Sequence, residues 1–160
     1  MAGVTRRRRH NGMNKQRVLF LCAHNAARSQ MAEALLRKHA GDRFDVASAG
    51  LEPTAIHPLT ARALNEVGVD LSGQRAKGLD LFLGKTAFQI AIIVCERTQQ
   101  NCPHIYPFAL HRLYWPFEDP ADAQGTEEEQ LQKFRDVRDQ IEARILDWLK
   151  NPTVLETSAS

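Results

Sequence analysis

The sequence predicts a single α/β domain built on an open, four-stranded parallel sheet with helices on both faces. Two continuous apolar runs, at 18–22 and 88–94, are typical of parallel strands that are covered on both sides. Segments with helical spacing alternate with these runs, and this alternation implies right-handed crossover connections. The 160 residues, 43% of them hydrophobic and 25% charged, are enough for one domain with a substantial core.

Four strands and three helices are expected in alternating order. The strands are predicted at 18–22, 44–48, 88–94 and 111–114, and the helices at 28–39, 58–67 and along the apolar stripe from 131 to 148. Gly41 and Gly68 follow the first two helices, where glycine commonly ends a helix. Pro58 lies in the first turn of the second helix, where proline is well tolerated. Residues 74–86 are expected to form loop and one or two helical turns.

The folded domain is expected to span 17–150, between a disordered basic tail at 1–16 and a disordered C-terminal tail at 151–160. Residues 1–17 hold six basic side chains and no acidic one, which leaves 15 basic against 19 acidic residues in the remainder. The tail lacks the aromatic residues or amphipathic helix that would indicate nucleic-acid or membrane binding. No apolar run is long enough for a membrane span, and no apolar segment follows the arginines as in a secretory signal. We therefore expect a cytoplasmic protein with no nucleic-acid or membrane partner.

The chain has three cysteines, Cys22, Cys95 and Cys102. This number is odd and too small for a disulfide-stapled secreted scaffold. The absence of a Cys-x2-Cys pair argues against a structural zinc site. Reactive thiols in a reducing cytoplasm fit the pattern better.

Residues 22–28, which we call the anion loop, connect a predicted strand to a predicted helix. Inward-facing N–H groups and the positive end of the following helix can bind an anion, and an arginine can hold two of its oxygens. The same field favours the thiolate, which is the nucleophilic form of cysteine. The loop is therefore predicted to bind a tetrahedral oxyanion beside the sulfur of Cys22; a buried structural cysteine with a distant arginine is the alternative. The predicted binding residues are Ala23, His24, Asn25, Ala26, Ala27, Arg28 and Ser29.

Cys95 follows the second apolar strand and is therefore expected at the same carboxyl edge of the sheet as Cys22, where ligands bind in such folds. Six residues separate Cys95 from Cys102. A disulfide needs Cα atoms about 4.4–6.8 Å apart, whereas a helix would place these two about 10 Å apart along its axis. The bond therefore requires a folded-back or unwound segment; two unrelated buried thiols are the alternative.

Asp119 precedes Pro120 in a rigid loop before the last helix. A carboxyl group held over an anion site can donate a proton to a leaving oxygen. Glu118 is the rival candidate for this role. A turn that simply uses Asp119 as a cap is the structural alternative.

Together, these motifs resemble the thioredoxin-coupled arsenate reductases, which share the low-molecular-weight tyrosine phosphatase fold. The motifs are Cys22-x5-Arg28 with Ser29-Gln-Met-Ala-Glu33, then Ser48-Ala-Gly50, Cys95-x6-Cys102-Pro103 and Asp119-Pro120. The similarity covers roughly residues 17–149 in order. The three-cysteine spacing is its specific part, because the anion loop alone is shared with phosphatases.

The resemblance implies a catalytic domain that reduces arsenate to arsenite in arsenic detoxification. Cys22 would attack arsenate held by the loop and Arg28, with Asp119 aiding the loss of an oxygen. Cys95 would then attack the Cys22 sulfur and release arsenite. Attack by Cys102 on Cys95 would move the disulfide outward, where thioredoxin, the external reductant, can reduce it. Ser29 would hydrogen-bond the Cys22 thiolate, and a monomer without a bound cofactor is expected; glutaredoxin with glutathione is the alternative reductant.

Some positions depart from the family pattern. Ala26 stands where relatives commonly carry Ser, and His24, where small residues are frequent, either adds positive charge at the mouth of the site or faces solvent. Some arsenate reductases bind a monovalent cation at positions matched here by Asn25, Glu33 and Ser48. The aligned carboxylate position falls at Lys77, whose ammonium could replace the ion, so no bound metal is expected.

Two other functions remain as alternatives. The first is a low-molecular-weight tyrosine phosphatase, but those enzymes carry an aromatic pair after Asp-Pro, where this chain has Ala121 and Asp122. They also usually have Ser-Pro after the loop arginine, where this chain has Ser29-Gln30. Weak phosphatase side activity at most is expected. The second is a redox or oxyanion sensor in which oxidation of Cys95 and Cys102 switches partner binding without turnover.

Overall fold

The computed structural model describes residues 15–71, 73–96, 102–103 and 106–152. Its centre is a four-stranded, fully parallel sheet with the strand order β2-β1-β3-β4. The strands are β1 (Gln16–Cys22), β2 (Phe44–Gly50), β3 (Phe88–Ile93) and β4 (Ala109–Tyr114); the helices are α1 (Arg28–Ala40), α2 (Pro58–Asn65) and α3 (Glu127–Lys150); 3₁₀ turns lie at Leu79–Leu81 and Pro120–Asp122. The predicted α/β fold with an open four-stranded parallel sheet is confirmed.

The two central strands form the buried middle of the sheet. Every residue of β1 from Val18 to Cys22, and of β3 from Ile90 to Ile93, is at most 3% exposed. This burial explains why both strands are continuous apolar runs rather than alternating patterns. β4 is an edge strand with half-exposed residues, and its Leu110 is 73% exposed. It begins two residues earlier than predicted, because Phe88 at the start of β3 pairs with Ala109.

The helices begin differently, and the difference matters for the site. Thr126 and Glu129 form a capping box at the start of α3. His57 caps α2 by accepting a hydrogen bond from the N–H of Leu59. α1 follows Ala27, whose side chain makes no capping hydrogen bond. The first N–H groups of α1 are therefore left for another acceptor.

α2 ends at Asn65, two residues before the predicted end. The N–H groups of Val67 and Val69 both donate to the carbonyl of Leu64 in a turn that contains Gly68 at a φ of 76°. This turn closes the helix because glycine adopts the left-handed conformation without steric cost.

The three helices contact one another. Glu66, at the end of α2, accepts hydrogen bonds from Arg135 and Arg138 of α3. The hydrogen bond from Arg135 is the main reason that the pKa of Glu66 is lowered to about 2. α3 also packs on the sheet through Trp148, whose ring contacts Phe44 and Trp115.

The first strand and the last helix of the described chain begin and end near the predicted limits of 17 and 150, and the division into a domain and two tails stays a prediction. Gln16 already belongs to β1, one residue before the predicted start at 17, and Lys150 ends α3. Apart from residues 15–16 and 151–152, the two predicted tails lie outside the described residues. No helix in the described ranges is both long enough and apolar enough to cross a membrane.

Candidate active site

β1 and β3 end side by side and bring Cys22 and Cys95 to the same edge of the sheet. Leu21 pairs with Ile93, and the N–H of Val94 donates to the carbonyl of Leu21 at 2.9 Å. Cys22 and Cys95 follow directly beyond this pair, on strands that run about 4.8 Å apart. Both cysteines are buried, at 2% and 0% exposure. The parallel sheet thus places the two thiol-bearing positions together, as its fold class predicts.

The segment that follows β2 holds the anion loop from outside. Four backbone hydrogen bonds join this segment to the loop. The N–H of Leu51 donates to Cys22 O (3.2 Å), that of Glu52 to Ala23 O (2.8 Å), that of Thr54 to His24 O (3.1 Å) and that of His57 to Ala26 O (3.0 Å). The carbonyl of Asn25 accepts from the side chain of Gln30. Because these carbonyl groups turn outward, the N–H groups of the loop and of the uncapped α1 can face an anion on the inner side.

Asn25 fixes the shape of the loop. Its φ of 54° lies in the left-handed region, which asparagine tolerates better than most residues. Its Nδ2 donates to Ser29 Oγ at 2.8 Å and to Ser48 Oγ at 2.9 Å, and its own N–H donates to Cys22 Sγ at 3.3 Å. Ser29 Oγ lies 2.8 Å from Cys22 Sγ. Because Asn25 already donates to Ser29 Oγ, the hydroxyl hydrogen can point to the sulfur, where it would stabilise a negative charge.

Behind the loop, Lys77 joins the buried polar groups that the sequence associated with a cation site. Ser48 Oγ donates to Glu33 Oε1 at 2.6 Å, and Lys77 Nζ lies 3.4 Å from each of these two oxygens. Burial lowers the pKa of Lys77, and the Glu33 carboxylate opposes this shift. The ammonium therefore lies beside Glu33 and Ser48, while the backbone N–H of Lys77 donates to Asn25 Oδ1 at 2.9 Å. No cluster of three or more His, Cys, Asp or Glu suited to a metal ion occurs within the described ranges.

A cavity of about 160 Å³ opens over the anion loop. It is lined by Cys22, His24, Ala26, Ala27, Arg28, Thr54, Ala55, His57, Asp119 and Ala121. The predicted binding residues Ala23, Asn25 and Ser29 are fully buried, and their side chains do not line the cavity. Thr54, Ala55, His57 and Ala121 were not predicted. Of these four residues, only His57 carried a signal in the sequence: it directly precedes Pro58 and therefore marks the start of a helix.

Arg28 reaches the cavity as a buried guanidinium, 2% exposed. Its Nη1 donates to the carbonyl of Phe117 at 3.1 Å, and its Nη2 lies 3.3 Å from Asp119 Oδ2. Its Nε is buried and has no hydrogen-bond partner among the described residues. An unpaired buried N–H is costly, and an anion in the cavity could satisfy it.

Asp119 caps a turn and also lies at the cavity. Its Oδ1 accepts from the N–H of Ala121 at 3.0 Å and caps the turn Pro120–Asp122, while Oδ2 faces Arg28 at the cavity. Glu118 instead pairs with Lys133 on α3 at 2.8 Å and is largely exposed. Of the two carboxyl groups, Asp119 is the one at the site.

Cys95 and Cys102 are joined by a disulfide with a Cα–Cα distance of 5.8 Å. This distance falls within the range that the bond needs, and the predicted fold-back of the intervening chain falls on residues 97–101, which lie outside the described part. Both cysteines are buried, at 0% and 3% exposure. The disulfide is therefore buried in this structure, and its transfer outward in the relay stays a prediction. Cys22 is the one free cysteine of the three.

Comparison with known proteins finds similarity over nearly the whole described length. Residues 17–157 match the family described as low molecular weight phosphotyrosine protein phosphatase. The chain is 41% identical over 133 residues to the arsenate reductase of Halalkalibacterium halodurans, which covers 83% of this chain and 94% of that protein. A solved arsenate reductase in the phosphate binding state superimposes with a TM-score of 0.70 at 29% identity, over 84% of this chain and 97% of that one. The thioredoxin-dependent arsenate reductase of Corynebacterium glutamicum superimposes with a TM-score of 0.64 at 30% identity, over 95% of this chain and 73% of that one.

Proposed function

This chain belongs to the low molecular weight phosphotyrosine protein phosphatase family, and we propose that within this family it is an arsenate reductase that serves arsenic detoxification. One observation carries the proposal: a second and a third cysteine form a disulfide beyond the carboxyl end of β3, at the edge of the sheet that also carries the cysteine of the anion loop. A phosphate-ester hydrolase needs only the loop cysteine, the arginine and a proton donor. A reductase needs two further thiols to take up the oxidation.

In the first step, arsenate binds to the N–H groups of the anion loop and to Arg28, whose Nε is unpaired. The thiolate of Cys22 attacks arsenic and forms a sulfur–arsenic bond. One arsenic–oxygen bond breaks, and Asp119 donates the proton that lets this oxygen leave as water. The hydrogen bonds from Ser29 and from the N–H of Asn25 stabilise the attacking sulfur as an anion.

In the second step, the thiolate of Cys95 attacks the sulfur of Cys22. A Cys22–Cys95 disulfide forms, and the electron pair of the sulfur–arsenic bond passes to arsenic, which leaves as arsenite in the +3 state. Cys102 then attacks Cys95 and frees Cys22 as a thiolate. The Cys95–Cys102 pair is the disulfide that these steps leave behind, and it is the bonded pair in the structure.

An external thiol reductant must return two electrons for each turnover, and we propose that this reductant is thioredoxin. The relative from Corynebacterium glutamicum is described as thioredoxin-dependent. Because both cysteines are at most 3% exposed, a protein thiol can reach this disulfide only if the surrounding chain opens. We further propose that the enzyme acts as a monomer in the cytoplasm, where thiols are kept reduced.

The phosphatase alternative is disfavoured by the walls of the cavity. A phosphotyrosine ring would need aromatic surfaces beside the loop. The cavity lining of the described chain contains alanines at positions 55 and 121 and no Phe, Tyr or Trp. We therefore expect weak hydrolysis of small aryl phosphates at most. A sensor without turnover would oxidise its thiols but release no arsenite.

The test is arsenite production from arsenate with thioredoxin, thioredoxin reductase and NADPH, with glutaredoxin and glutathione as the comparison. Cys22→Ser should abolish all activity, and Cys95→Ser should eliminate arsenite release while sparing any aryl-phosphate hydrolysis. Cys102→Ser should release a single arsenite per enzyme and then stop. Unchanged steady-state turnover of Cys102→Ser would rule out the relay, and no arsenite from the native protein with either reductant would rule out the function.

A further inference from the structure

His57 lies at the cavity but does not belong to the anion loop. It lines the cavity together with Cys22 and Arg28. Its backbone N–H donates to the carbonyl of Ala26 at 3.0 Å, and Thr60 Oγ1 donates to the same carbonyl at 2.9 Å. The start of α2 is therefore hydrogen-bonded directly to the loop, which places the backbone of His57 beside it.

Two contacts fix the orientation and the tautomer of the ring. Nδ1 accepts a hydrogen bond from the N–H of Leu59 at 3.1 Å. One face packs against Phe134 of α3, with ring centroids 4.7 Å apart. A ring nitrogen that accepts a hydrogen bond carries no hydrogen, so in the neutral imidazole the hydrogen resides on Nε2. Because Nδ1 caps the helix, Nε2 at the other end of the neutral ring carries the hydrogen and can donate it.

The second histidine of the cavity has the opposite arrangement. His24 Nδ1 lies 2.9 Å from the carbonyl oxygen of Glu52, which can only accept. Nδ1 of His24 therefore carries the hydrogen, and in the neutral ring its Nε2 is an acceptor. Of the two imidazoles, His57 is the one whose Nε2 can donate to an anion while the ring is neutral.

We propose that His57 is a substrate-binding residue whose Nε2–H donates a hydrogen bond to an oxygen of the tetrahedral anion. This donor, at the start of α2, would add to the guanidinium of Arg28, at the start of α1. The inference rests on the proposed function only for the identity of the substrate. Inorganic phosphate, which has the same shape and charge, should accept the same hydrogen bond.

The matched substitution is His57→Ser, because serine is a good N-cap and keeps an acceptor for the Leu59 N–H while removing the ring donor. We expect the Kd for inorganic phosphate, measured by calorimetry on the reduced full-length protein, to rise about ten-fold or more. The KM for arsenate should rise by a similar factor, with a small change in Tm. Phe134→Leu loosens the packing of the ring but leaves the donor, so it should lower Tm and weaken phosphate binding less than His57→Ser does.

A folded His57→Ser protein that binds phosphate as tightly as the native protein would overturn the inference. If that variant does not fold, nitrogen NMR of the native histidines decides: the His57 ring should carry its hydrogen on Nε2 and its Nε2 signal should shift when phosphate is added. A hydrogen on Nδ1, or an unshifted Nε2 signal at saturating phosphate, would also overturn it. Native protein that binds phosphate through His57 but forms no arsenite would refute the proposed function and leave this inference standing.

Discussion

Gly50 is the point at which β2 touches the anion loop, and replacing it by alanine tests how closely the loop is held. A Cβ at this position would lie 2.8 Å from Ala23 O, 2.8 Å from Asn25 N and 2.9 Å from the carbonyl carbon of His24. Ordinary contact begins at 3.4 Å, so the neighbouring atoms must retreat by about 0.6 Å. All three are backbone atoms, so the displacement goes into the loop that would bind the anion.

The expected result is a loss of activity that exceeds the loss of stability. Overpacking of this kind costs about 1–3 kcal/mol, which corresponds to a fall in Tm of roughly 2–12 °C for a chain of this size. Misplacement of a site by about 1 Å can cost about a hundred-fold in rate. For a shift of about 0.6 Å we expect kcat/KM for arsenate to fall about ten-fold or more, measured by thioredoxin-coupled NADPH oxidation well below the Tm.

Gly84→Ala is the matched control. Gly84 has a φ of 76°, and no atom lies within 4 Å of the methyl group that alanine would add, so this change introduces backbone strain without touching the loop. It should cost about 1–2 kcal/mol of stability and leave kcat/KM unchanged. A Gly50→Ala protein with native kcat/KM would refute the reasoning. Losses of kcat/KM in both variants that are proportional to their losses of Tm would refute it too.

Three further predictions concern charged groups. Asp119→Asn keeps the turn cap but removes the carboxyl group that faces Arg28 and would donate the proton. The kcat for arsenate should fall about a hundred-fold, while phosphate binding should not weaken. A native kcat in this variant would reject the proton-donor role. The pKa of Glu66 is lowered to about 2, so its stabilising effect is present above its ordinary value of 4.5 and is lost as pH falls through about 2. Glu66→Gln should therefore have a lower Tm than the native protein at pH 7, and a gap that persists below pH 2 would contradict this. Lys77→Met removes the ammonium beside Glu33, so arsenate turnover by this variant should depend on K⁺. Turnover by the native protein should be the same in potassium chloride and in tetramethylammonium chloride. Stimulation of the native enzyme by K⁺ would argue that the ammonium does not replace the ion.

The elements predicted best are those whose signal comes from burial. β1 and β3 are buried on both faces, and α3 presents one apolar stripe, so their residue types alone reveal them. The strand boundaries that differ from the prediction depend on main-chain pairing with a neighbouring strand. β2 continues to Gly50 because Gly50 pairs with Cys22, and β4 begins at Ala109 because Ala109 pairs with Phe88. Main-chain pairing leaves no mark on side-chain chemistry, so the sequence could not show where these strands end.

For the site, the sequence by itself determined the groups of the anion loop, because residues as close along the chain as Cys22 and Arg28 cannot separate once a strand leads in and a helix leads out. The tertiary structure alone decided that His57 and Ala121 form walls of the cavity, since they come from distant segments. It also decided that the Cys95–Cys102 disulfide is buried. Local spacing determines which groups can act together, but long-range packing determines what surrounds them and whether another molecule can reach them.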